Sequence, residues 1–124
     1  MWNWQSVVFF MAQSIVAFSL LEAINYIEHY GLRRQRTPKG YYEKTSVSHS
    51  WNANHIWGNC CLFMLQRHSD HHAHQSRAFY NLRHYKESPK LPTGYAGMLV
   101  LSVCPPLWYW IMHKRLDAYQ IATK

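Results

Sequence analysis

Charge is missing from the first part of this chain. Residues 1–21 carry no charged side chain, and the thirteen lysines and arginines all lie after Leu32. Disulfide-forming cysteines are also scarce: Cys60 and Cys61 are adjacent and Cys104 stands alone. An odd count with an adjacent pair excludes a disulfide framework, and no C-x-x-C knuckle is present. Reduced thiols, facing the cytoplasm or buried among apolar groups, are the expectation. No internal repeat and no low-complexity tract occurs, which excludes a solenoid or a disordered linker. The uncharged start also lacks what a cleaved signal peptide needs, a basic n-region and a small-residue cleavage site.

What fills that charge-free start is apolar. The stretch WNWQSVVFFMAQSIVAFSLLEAINYI, residues 2–27, holds Glu22 as its only charge. About 20 apolar residues at about 1.5 Å each cross a hydrocarbon layer of roughly 30 Å, so a transmembrane helix is predicted over residues 1–32. Trp2 and Trp4 at one end, with Tyr26 and Tyr30 at the other, suit interfacial aromatic belts. Gln5, Ser6, Gln13, Ser14 and Ser19 predict that this helix packs against others. Arg33, Arg34, Arg36, Lys39 and Lys44 then follow at once. The positive-inside rule places that end, and everything after it, on the cytoplasmic side.

A net charge of +7 suits either an anionic membrane surface or nucleic acid. Its asymmetric distribution reads as membrane topology, so membrane lipid is an expected partner and nucleic acid is not. The predicted architecture is all-α: a span over 1–32, a basic loop over 33–51, a helix over 52–74 and a C-terminal region over 75–124. Within that last region residues 91–112 are uncharged, and Pro105 with Pro106 should break a helix there. This stretch is expected to associate with the membrane or to lie buried against other helices. Residues 113–124 read as a short polar end. With 124 residues the chain amounts to one domain or a piece of one.

The chemistry concentrates in LQRHSDHHAH, residues 65–74. On a helix His68, His71 and His72 stand at i, i+3 and i+4, on one face about a turn apart. Neutral imidazole is the commonest protein ligand for a transition metal, so these three are predicted to form half of a metal site. Asp70 lies about 200° around the helix from His68, so its expected role is to accept the free ring N–H of a ligating histidine. A zinc protease is excluded, because Ser69 stands where the general-base glutamate belongs. His29 sits at the membrane edge beside Glu28, where an ionisable residue is a functional candidate or a snorkelling interfacial group. His49 and His55 read as loop or helix-cap residues, and His74, His84 and His113 as surface histidines.

NYIEHYGLRR at 25–34, SHSWNANH at 48–55, LQRHSDHHA at 65–73 and LRHYKESPKLPTGYAGM at 82–98 together resemble the integral-membrane alkane 1-monooxygenases. The resemblance covers nearly the whole chain in order and spacing. It implies a bundle of six transmembrane helices, multi-pass in the cell inner membrane, with a histidine-held di-iron centre facing the cytoplasm. It also implies terminal hydroxylation of n-alkanes with oxygen and electrons delivered by rubredoxin. Carried over residue by residue, His29 matches the ligand of the NYxEHYG box, and His68, His71 and His72 match those of the LQRHSDHH box. His49 and His55 match a stretch not counted among the ligands, and like Glu28 they are candidates for supporting them.

Two histidine boxes of that family, of the H-E-x-x-H-K and H-x-x-x-H-H types, have no counterpart here. The chain is therefore expected to be the C-terminal third of such an enzyme and to be inactive alone. A different class stays open: a small membrane-anchored protein that binds a single metal or a partner without catalysis.

Overall fold

The computed structural model describes residues 3–122; Trp2, expected in an aromatic belt, lies outside them. Within this range the chain is helical, with no strand and only two isolated backbone bridges, Arg36 with Tyr42 and Asn52 with Lys90. The helices are α1 (Trp4–His29), α2 (Ile56–Cys61), α3 (His68–Ala73), α4 (Tyr95–Ser102) and α5 (Pro105–Ala122).

Helix α1 contains no glycine or proline, and Asn3 caps it by accepting the Ser6 N–H at 2.9 Å. Its 26 residues rise about 39 Å, more than the roughly 30 Å of a bilayer's hydrocarbon. It is the one helix among the described residues long and apolar enough to cross a membrane. Val7, Phe9, Phe10, Ile15 and Phe18 stand exposed along it, as a lipid-facing surface requires. The helix stops at Gly31, whose φ of +71° an L side chain rarely adopts. The Leu116 side chain packs where a Cβ on Gly31 would point.

The core gathers around this C-terminal end of α1. Ile27, Trp51, Tyr95, Met98, Trp108 and Met112 are buried together, each large side chain contributing about 1.5–3 kcal/mol. Trp51 also closes the helix end. Its backbone N–H donates to the Glu28 carbonyl at 2.8 Å and its Nε1 to the Tyr30 carbonyl at 2.7 Å. Two carbonyls that α1 leaves without a helical partner are thereby satisfied.

Two elements differ from the sequence reading. Where a single helix is predicted over 52–74, the chain forms α2, a loop with a short 3-10 turn at Leu65–Arg67, and α3. The break falls at Phe63 and Met64, which both adopt positive φ (49° and 61°). Residues 113–124, read as a polar end, continue α5 as far as Ala122. Their helix is held by burial of Trp108 and Met112 and by packing of Leu116. The predicted break at the proline pair is present: α4 ends at Ser102, and Pro105 and Pro106 occupy the first turn of α5, where a missing N–H does no harm.

Candidate metal centre

The last residue of α1 meets the first turn of α3. His29, His68 and His72 each offer a ligand atom, and these three atoms lie within 4.8 Å of one another. Their ring centroids are 5.3 Å apart for His29–His68, 5.1 Å for His29–His72 and 4.4 Å for His68–His72. His71 is exposed at the rim, with centroids 6.0 Å from His68 and 5.7 Å from His72. The structure thus brings three of the four sequence-predicted ligands together and leaves the fourth at the open side.

His29 and His68 are held by groups outside the cluster. His29 Nδ1 lies 3.2 Å from the His49 carbonyl, which accepts only an N–H. The proton therefore sits on Nδ1, and Nε2 keeps its lone pair. His49 is fixed in turn, because its Nδ1 accepts the Ser46 N–H at 2.9 Å and its Nε2 faces Glu43 Oε1 at 3.0 Å. The Gln35 N–H, donated to Glu43 Oε1 at 2.7 Å, and the His49 contact hold the Glu43 carboxyl below its ordinary range. His68 Nε2 lies 3.0 Å from Glu28 Oε2, while Glu28 Oε1 accepts the Tyr95 hydroxyl. Glu28 and Tyr95 are both buried. His55, by contrast, is exposed at the N-terminus of α2 and has no place in the cluster.

Asp70 does something different from its sequence-predicted role. It is wholly buried and accepts from His74 Nδ1 at 2.7 Å, from Arg77 Nη1 at 2.6 Å and from the Arg83 backbone N–H at 2.7 Å, but from no ring of the cluster. Burial pushes its pKa up, yet the bonds from Arg83, Arg77 and His74 outweigh that and hold it below the usual carboxylate range. Asp70 therefore ties α3 to the following loop. A second tie was not legible at all: Asn52 bonds Ser69 twice, Nδ2 to Oγ at 2.8 Å and Oδ1 from N–H at 3.0 Å. Tyr95 was equally unforeseen as the partner of Glu28, since nothing in its local sequence marks it.

The residues fit a metal ion. His68 and His72 present their Nε2 atoms to each other at 2.8 Å, and two neutral imidazoles can share only one proton there. Nitrogens bound to a common ion at about 2.0–2.1 Å stand roughly 3 Å apart, so a cation would satisfy both. Burial, together with His68, His29 and His71 around it, pushes the His72 pKa down to about 4. His72 is thus a neutral, ligation-competent ring at neutral pH.

Residues 1–113 match the model of the fatty acid desaturase family, and the chain belongs to that family. Among its relatives, alkane 1-monooxygenase 2 of Alcanivorax borkumensis is 56% identical over 119 residues, covering 96% of this chain and 31% of that protein. Alkane 1-monooxygenase 2 of Pseudomonas aeruginosa is 54% identical over 117 residues, 94% of this chain and 31% of the relative. A xylene/toluene monooxygenase hydroxylase component of Pseudomonas putida is 31% identical over 104 residues, 84% of this chain and 27% of that protein. The chain spans about a third of the length of the curated relatives it matches.

Proposed function

We propose that this chain supplies part of the non-haem iron centre of an integral-membrane alkane 1-monooxygenase, which converts n-alkanes to 1-alcohols. The observation that carries the reading is the meeting of His29 with His68 and His72, in a chain 56% identical to an alkane 1-monooxygenase. These three rings would hold iron, and His71 at the rim would be available to a di-iron centre. The remaining ligands come from outside these 124 residues. Iron bound there supplies the activation of oxygen that no side chain provides.

The chain's own groups prepare that site. The His49 carbonyl keeps the His29 Nε2 lone pair available, Glu28 and Tyr95 fix the ring of His68, and His72 stays unprotonated. The cluster lies where α1 ends, so an alkane lying in the bilayer reaches it methyl-first without entering water. Arg33, Arg34, Arg36, Lys39 and Lys44 follow α1, which favours an inner-membrane location with the histidines facing the cytoplasm. A basic cytoplasmic face also suits an acidic electron carrier such as rubredoxin.

A second reading rests on the same three rings: a membrane-anchored protein that holds a single ion and catalyses nothing. Exchanging the matching segment of the Pseudomonas aeruginosa alkane 1-monooxygenase 2 for this chain separates the two. The chimera is expected to form the 1-alcohol from an n-alkane that the parent enzyme hydroxylates, and the same chimera with His68→Ala to form none. An iron-loaded, membrane-inserted chimera that makes no alcohol would sink the monooxygenase reading and leave the single-ion one.

A further inference from the structure

We propose that α4 and α5 form a re-entrant hairpin, with its turn at Val103 and Cys104 inserted among the acyl chains of the leaflet that holds the C-terminal end of α1. The inference is independent of the reaction. Direction comes first. Tyr95, at the start of α4, reaches Glu28 near the end of α1. On α5, Trp108 packs on Tyr26 and Tyr30, His113 bonds Tyr30 at 2.7 Å, and Leu116 lies against Gly31. Helix α5 therefore ascends alongside α1 towards its C-terminal end, and the turn that precedes α5 points back along α1 into the membrane. With 8 residues, α4 rises about 12 Å and is too short to cross the layer.

Charge follows the same geometry. On α1 and the residues after it, the step from apolar to basic falls between Gly31 and Arg33. On α5 it falls between Met112 and Lys114, beside His113 and its bond to Tyr30. Two helices distant in sequence thus place their apolar–basic boundaries at one level, as a shared membrane surface demands. Trp110 stands 60% exposed with the Lys114 ammonium 4.1 Å over its ring, an aromatic belt residue beneath a snorkelling lysine. Below that level the outward side chains are apolar: Val100 is 76% exposed and Val103 83%. The inward ones, Tyr95, Met98, Trp108 and Met112, are buried in the core.

Three backbone donors of the turn are satisfied within the protein, as hydrocarbon demands. Val103 N–H donates to Val100, Cys104 N–H to Leu101 and Trp108 N–H to Cys104, at 3.3, 3.1 and 2.9 Å. Ser102 Oγ bonds the Leu99 carbonyl at 2.8 Å. Pro105 and Pro106 bring no N–H, which removes two of the donors that a helix N-terminus otherwise leaves open.

The native Cys104 allows a direct test with little perturbation. In the full chain carrying Cys60→Ser and Cys61→Ser, reconstituted in phospholipid vesicles, a nitroxide on Cys104 is exposed in turn to oxygen and to a water-soluble nickel chelate. Matching labels at Leu20→Cys, on the span, and Tyr41→Cys, in the basic loop, each in a chain that also carries Cys104→Ser, give the two references. The oxygen-to-nickel accessibility ratio at Cys104 should match that at Leu20 and exceed that at Tyr41 several-fold. A ratio like that of Tyr41 would put the turn in water. A label shielded from both agents would mean that protein, not lipid, covers the hairpin; either result overturns the proposal.

Discussion

His29 enters the cluster with its tautomer chosen, because its Nδ1 faces a carbonyl that can only accept. The carbonyl belongs to His49, whose own ring is pinned by Ser46 and Glu43, so the SHSWNANH stretch acts through its backbone. Sequence singled out the imidazole of His49, but its backbone oxygen does the positioning, and no residue code announces that. Glu28 bridges Tyr95 and His68. Glu28 faces the same His68 nitrogen that turns to His72, so its carboxylate would stand beside a bound cation; Glu28→Gln keeps an acceptor for Tyr95 but removes that charge, and metal affinity should fall roughly tenfold, measured by competition with a chelator. Acid should act in two steps on the metal-free chain. His72 has a folded pKa of about 4 against an ordinary value of 6.5. Above 6.5 both states are neutral; between 6.5 and 4 the unfolded state takes a proton that the folded state refuses, so stability falls as pH falls through that window. Asp70, whose pKa is depressed from 3.8, stabilises the fold above that value and loses its contribution below it. Melting temperature against pH should show both declines, and His72→Gln should shrink the upper one, leaving the share of His84, which burial also holds below its ordinary value.

Among the elements, α1 was the most legible, since a charge-free run followed by arginines needs no tertiary context to be read. The helix predicted over 52–74 was not, because Phe63 and Met64 adopt positive φ without glycine or proline to signal it. The break matters for the site. It lets Gln66 fold in beside Gly58, where its amide nitrogen lies 1.5 Å from the position a Cβ would take. Gln66 is wholly buried and has no room to swing. Its carbonyl also accepts the Ala53 N–H at 3.0 Å, so moving it disturbs the turn that delivers His68. Gly58→Ala should lower stability by about 1–3 kcal/mol and weaken metal binding with it, read by thermal melting with and without metal. A variant as stable as the parent would show that this turn is looser than its burial implies. The helical C-terminal tail escaped the sequence reading for a related reason: what holds it, the packing of Trp108, Met112 and Leu116 on the end of α1, is a long-range contact.

Taken whole, the molecule is a long apolar helix with a cap of short helices folded over one end. The cap closes through Trp51 on the α1 terminus, Asn52 on Ser69, and Asp70 on Arg77 and Arg83. Together these ties bring the histidines of α3 to that of α1. The candidate histidines stood out as a spacing pattern in α3 and as a resemblance at His29, whereas their meeting depends on ties that local sequence does not encode. An ion bound only by the folded cap should stabilise it, by about 2.7 kcal/mol at a free concentration a hundred times its Kd. Anaerobic titration of the purified full chain with ferrous iron, beside its His29→Ala and His68→Ala variants, tests the central claim most directly. One ion per parent chain is expected, with binding at least tenfold weaker in each variant. No binding by the parent, or binding by His29→Ala as tight as the parent's, would contradict the claim that α1 and α3 build one metal centre.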